Sequence, residues 1–189
     1  MIKSNNIISR DMLDMLRECK GKRIEALLCA DDDMKSSIEI VILRFHDFDI
    51  ELWNLEQPDK EDGVSDLAKI FIKKNDKKDC SFPRKVHYFN GIVRKKDLDI
   101  LYIDRKVAGI TVHNELVKSF DKNGTVDFLL ANTYAIVISL GTRYLHIVKE
   151  IYWSEFWDIS FSQSPVPKAP EWDESEGDKY EITHSVFEL

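Results

Sequence analysis

Between Ser9 and Gly21 the apolar positions Met12, Met15, Leu16 and Cys19 recur at helical spacing, and from Arg23 onward the period drops to two. The first stretch predicts a helix: Ser9 can accept from the amides left free at its start, and Gly21 suits a left-handed stop. Ile8 and Leu13 stand where a hydrophobic staple would close the entry. The alternating runs RIEALLCA, SIEIVILRF and FDIELWNL, separated by DDDMKS and by His46-Asp47, read as an antiparallel meander. SDLAKIFIKKN then puts Leu67, Ala68, Phe71 and Ile72 on one side behind a possible Ser65 cap, which predicts a second helix over 65–74.

In KVHYFNGIVR, Asn90-Gly91 separates two short β-prone runs, a strong hairpin signal because both residues tolerate positive φ. LDILYI and AGITV are further strand candidates, NELVKSF reads as a short helix ending at DKNGT, and TYAIVISLGTRYLHIV reads as a hairpin turning at Gly141-Thr142. The aromatic stretch EIYWSEFWDISF, residues 150–161, fits two periods. On a strand Trp153, Trp157, Ile159 and Phe161 share a face; on a helix Tyr152, Trp153, Phe156 and Trp157 do. Either geometry gives an apolar face with a polar back, so this segment is expected to face the core, with Trp153 and Trp157 not both exposed.

Beyond Phe161 the pattern breaks. Pro165, Pro167 and Pro170 and the acidic WDESEGD predict a linker over 163–179, and the alternation returns in YEITHSVFEL as an edge strand over 180–189. The expected organisation is therefore one globular domain, 1–162, followed by linker and strand. The expected fold class is α+β: an N-terminal helix packed on a mainly antiparallel sheet of about seven to nine strands, curled or two-layered.

Composition changes this picture little. The 189 residues are 43% hydrophobic and 32% charged, ordinary for a globular chain. The N-terminus lacks the continuous apolar run of a signal peptide, and no run approaches a membrane span. Three cysteines at unrelated spacings argue against a disulfide framework and favour a cytoplasmic setting. Charge adds more: the net −7 conceals an acidic first third and a basic block over 69–106. These blocks face partners, each other or solvent.

Local motifs for chemistry are missing from the sequence. His46, His87, His113, His146 and His184 are scattered singly, and no metal or cofactor motif accompanies them. The HDFD stretch at 46–49 and the Asp31 to Asp33 run resemble ligand sets only loosely, and no glycine-rich phosphate loop is present. Cys80 with His87 is a nucleophile and base pair on paper, without a local signature. An active site would have to be assembled from distant residues.

The leading functional expectation is consequently a non-enzymatic protein-binding module with no cofactor. Its sharper form is a bacterial immunity-type inhibitor of a basic toxin domain, steered by Asp31, Asp32, Asp33, Asp47, Asp49 and Glu51. The alternative is nucleic-acid binding through Lys73, Lys74, Lys77, Lys78, Arg84 and Lys85, whose cations neutralise phosphate while neighbouring aromatics stack on bases.

Overall fold

The structure is a computed structural model that describes residues 2–31, 38–55, 68–76, 86–87, 92–93, 98–150, 156–172 and 179–189. Among them it contains thirteen strands and one two-turn helix. The fold is thus sheet-dominated, more β than the α+β class expected from sequence.

The helix α1, Arg10–Arg17, forms where the sequence places it, with Ser9 Oγ accepting from the Met12 amide at 3.3 Å. Leu16 and the following Cys19 are fully buried, and Met12, Leu13 and Met15 pack beside them. Burial and the neighbouring Glu18 carboxylate push the Cys19 thiol up to about 12, which makes it an inert core group. Gly21 follows at φ +80, and its amide donates to the Val107 carbonyl.

Three strands, β2 (Arg23–Asp31), β3 (Ile38–Phe45) and β4 (Phe48–Leu55), form the expected meander. The predicted second helix is replaced by β5, Lys69–Asp76, at least over its described residues; 65–67 lie outside them. The reason is visible in the burial: Ile70 and Ile72 are buried while Phe71 and Lys73 are not, and all eight residues pair with β4. Period two and a partner strand override the helical stripe. NELVKSF is corrected for the same reason. It continues β9, Gly109–Phe120, which lies between β10 (Val126–Ser139) and the last strand β13 (Lys179–Glu188) and pairs with both.

The N-terminal strand β1, Ile2–Asn6, pairs in parallel with one half of β10, and β11, Tyr144–Lys149, pairs with the other. The turn between β10 and β11 has the expected two-residue form: the Leu140 amide donates to the Arg143 carbonyl, and Gly141 takes φ +91. Two short strands, β6 (Val86–His87) and β7 (Ile92–Val93), pair antiparallel; the Asn90-Gly91 turn lies outside the described residues. The remaining strands are β8, Leu98–Lys106, and β12, Trp157–Ser162.

The large sheet runs β13-β9-β10-β11-β12-β3-β2-β8, with β4 and β5 branching from β3. Among the described residues its two halves are joined by one residue pair, Trp157 with Ile38. Their inner faces share one core, in which Leu27, Leu43, Ile50 and Ile70 of one half meet Val112, Ile136, Ile147 and Trp157 of the other. The aromatic stretch therefore answers to the strand template over its described residues: Trp157 is 3% exposed and Ile159 packs on the core, while Trp153 lies outside them.

A second, smaller cluster covers the opposite face of β9, β10 and β11. Val117, Leu130, Tyr134, Ala135 and Val148 are overlaid there by Ala169, Trp172 and Tyr180. Residues 163–172, read as linker, thus lie as a strap on the sheet, with Pro167 buried. No helix among the described residues is long and apolar enough to cross a membrane.

Candidate interaction surface

Strand β8 ends the path of the sheet: β2 pairs with one of its edges, and no strand pairs with the other among the described residues. Its sequence LDILYIDRK carries apolar residues on both faces, which reads as a central strand buried on both sides. Ile103 packs on the core, and Ile100, Leu101 and Tyr102 are left outside. Ile100 is 40% exposed, Leu101 49% and Tyr102 81%, and Phe161 of β12 adds another exposed ring at 39%.

A bulge shapes this edge. Ile24 pairs with Arg105 and Ala26 with Tyr102, so Ile103 and Asp104 oppose the single residue Glu25. Asp104 takes the extra turn at φ +47, a conformation that aspartate tolerates better than most side chains. Arg23 holds its carboxylate through two hydrogen bonds, from Nε and, at 2.8 Å, from Nη2, and these keep that carboxyl below its usual range. Bulges of this kind re-aim side chains at functional edges.

Beside the bulge lies a groove of about 530 Å³. Ile103 and Leu140, which both belong to the core or pack on it, form its base. Leu101, Tyr102 and Phe161 form apolar walls, and the Gly141 turn brings in Thr142 and Arg143 opposite Arg105. Among the described residues neither arginine is within ion-pair distance of a carboxylate and no carboxylate lines the groove, although the charge of Arg105 helps hold the neighbouring Asp104 carboxyl down. Such a surface can bind an apolar, anionic ligand.

The acidic candidates are differently placed. Asp49 is buried and takes two hydrogen bonds from Arg44, at 3.1 and 2.9 Å, its direct cross-strand partner. Glu51 accepts from Trp53 Nε1 at 3.4 Å and from the Asn75 amide. Asp47 is exposed, 3.8 Å from Lys22, and Asp31 is the last residue of β2. Asp32 and Asp33 lie outside the described residues. Of the cationic candidates, Lys73 is exposed, whereas Lys74 pairs with Glu18 at 2.5 Å and sits 4.8 Å over the Phe48 ring. Lys77, Lys78, Arg84 and Lys85, and Cys80 too, lie outside the described residues.

Two polar clusters were invisible as spacing. Lys149 is fully buried at the end of β11, where its Nζ donates to the Ala68 carbonyl and, at 2.8 Å, to Asn132 Oδ1; Asn132 in turn donates to Glu115 at 3.0 Å. Burial pushes the amine down to about 7 against the opposing pull of Glu115. Its two acceptors match the two N–H groups of a neutral amine, so the group serves the interior even though a cleft of about 580 Å³ is lined by Lys149 and Trp157.

The second cluster gathers three histidines on the strap side of the sheet. The ring of Tyr134 stands edge-on to His113 and His184 at 6.0 and 5.8 Å. His113 is held below its ordinary range by burial and then by the other two histidines. His113 Nε2 lies 3.0 Å from Thr111 Oγ1, and His146 Nε2 donates to the Ser164 carbonyl. No group of three metal-ligating side chains among the described residues could hold an ion.

The sequence marks LDILYI only as a strand; its apolar run Ile100 to Ile103 inside a charged block becomes a surface feature once the strand order puts it at the end of the sheet path. Compared with models of protein families, with curated proteins and with solved structures, the chain matches none, and its function is argued from this geometry.

Proposed function

We propose that the chain is a protein-binding module whose contact surface is the groove beside β8. One observation carries the reading: exposed large apolar side chains converge on a strand edge that has no ladder partner among the described residues. Contiguous apolar surface of this kind marks interaction sites, and Tyr and Arg dominate the energetics of such contacts. Tyr102 supplies a rigid aromatic anchor, with Arg105 and Arg143 at the rim of its groove. Of the acidic set, Asp49 and Glu51 are already engaged by Arg44, Trp53 and Asn75, which favours the β8 groove over those two carboxylates as the contact.

A photo-crosslinking amino acid placed at Tyr102 tests the reading. In the native cellular setting it should yield a discrete heavier adduct that survives nuclease treatment, whereas the same probe at Lys122, exposed on the β9–β10 turn, should not. Absence of an adduct at 102, or identical adducts from both positions, would contradict it; a nuclease-sensitive adduct would favour nucleic acid.

A further inference from the structure

We propose that the occupant of the groove is an extended, acidic segment of a partner protein that adds to the free edge of β8 as a further strand. This rests on the protein-binding reading and names the chemistry of its partner. Three features of the site converge on it.

The first is the backbone. An unpaired strand edge offers a row of N–H and C=O groups, and an extended peptide satisfies them at no cost in side-chain matching. The second is shape: the side chains of an added strand alternate, so every second one would enter the apolar groove between Tyr102 and Phe161 while the others face water.

The third is charge. Among the described residues, the ionic groups lining the groove are the guanidinium groups of Arg105 and Arg143, supplied by two different elements. The nearest carboxylate along β8 in the bulge, Asp104, is already held by Arg23. Guanidinium groups bind carboxylates in paired hydrogen bonds, and like charges across the contact would repel a basic segment. The favoured partner is therefore anionic, opposite in sign to the basic toxin domain expected from the acidic residues of the sequence. A chain of net −7 repels an acidic partner at long range, so recognition depends on this local cationic rim.

The probe is a fluorescein-labelled nonapeptide alternating glutamate with valine around a central phenylalanine. Two companions carry lysine for every glutamate, or N-methyl groups on alternate amides. Fluorescence anisotropy with the full chain at low salt should show binding of the glutamate peptide, at least tenfold weaker binding of the lysine peptide, and loss of binding on N-methylation. The double variant Arg105→Glu with Arg143→Glu should invert the preference. Both residues are exposed enough for the variant to keep its fold, and Arg→Gln at both positions serves as a milder second pair. Equal or better binding of the lysine peptide would overturn the acidic assignment, and undiminished binding of the N-methylated peptide would overturn strand addition. Failure of all three peptides while Tyr102 still yields its protein adduct would overturn this proposal and leave the protein-binding reading standing. A Tyr102 adduct with a second copy of this chain would also overturn it, and loss of the adduct is failure of the reading beneath it.

Discussion

Raising the pH from 7 to 10 should stabilise the wild-type protein relative to Lys149→Met. The folded Lys149 amine titrates at about 7, against 10.5 for the free side chain, and burial is the main cause. Below pH 7 both folded and unfolded states carry the proton, and the burial penalty is present in full. Above it the folded state has lost a proton that the unfolded state still holds, so stability rises with pH until the unfolded amine titrates as well. The slope expected from one such group is about 1.4 kcal/mol per pH unit. Methionine fills a similar volume and has nothing to titrate. The difference between the two denaturation free energies, measured by urea titration at pH 6, 8 and 9.5, should therefore be flat up to about 7 and then grow.

The substitution also strands the Ala68 carbonyl and Asn132 Oδ1 in the interior without their donor. Each such loss costs roughly 1–3 kcal/mol. Glu115→Gln should act in the other direction on the titration, because the Glu115 charge favours the ammonium form. A difference between wild type and Lys149→Met that stays constant across the whole range would mean that the folded protein keeps its proton.

Trp157→Ala should cost about 3–5 kcal/mol, the range for emptying a large aromatic site in a packed core. Trp157 is 3% exposed, and its backbone supplies the one residue pair among the described residues that links the two halves of the sheet. The indole is surrounded by both halves, so neither can collapse into the cavity without moving against the other. Trp157→Phe should lose much less. Its ring keeps most of the packing, and it removes an indole N–H that has no acceptor among the described residues. Chemical denaturation of the two variants separates the terms. A stability near wild type for Trp157→Ala would contradict the core assignment, and equal losses for Ala and Phe would show that the indole shape, rather than its bulk, holds the two halves together.

What was legible in the sequence is local. The Ser9 cap, the β2–β4 meander and the Gly141 turn each depend on residues a few positions apart, and each forms; the helix itself ends earlier than Gly21, at a Glu18 C-cap, with the left-handed Gly21 turning the chain three residues later. The misread segments are those whose conformation is decided by distant partners. Phe71 belongs to a helical stripe and Ile70 to a strand alternation, Ile72 to both, and pairing with β4 selects the strand. Residues 114–120 become part of a twelve-residue strand because β10 and β13 flank it. IKSNN, polar after Ile2, carries no alternation and becomes β1 through parallel pairing with Phe128 to Asn132.

The candidate site was less legible than the fold. A count of carboxylates treated Asp49 as free charge, yet the hairpin register about His46-Asp47 puts it opposite Arg44, as Phe45 is put opposite Phe48, whose rings stack at 4.7 Å. The groove needs the order of strands in the sheet, because LDILYI looks the same whether it lies at the centre or at the edge. The Lys149, Asn132 and Glu115 cluster likewise joins residues that share no sequence spacing.

Amide hydrogen exchange of the chain, alone and with the protein captured through Tyr102, tests the central claim most directly. Strand β13, at the opposite end of the sheet path, likewise has one edge without a strand partner among the described residues, with Ile182, Val186 and Phe187 exposed, and serves as the internal comparison. Binding is predicted to slow exchange at alternate amides of residues 98–106 while β13 exchanges as before. Slowed exchange along β13 with β8 unchanged would contradict the assignment of the β8 groove as the binding surface.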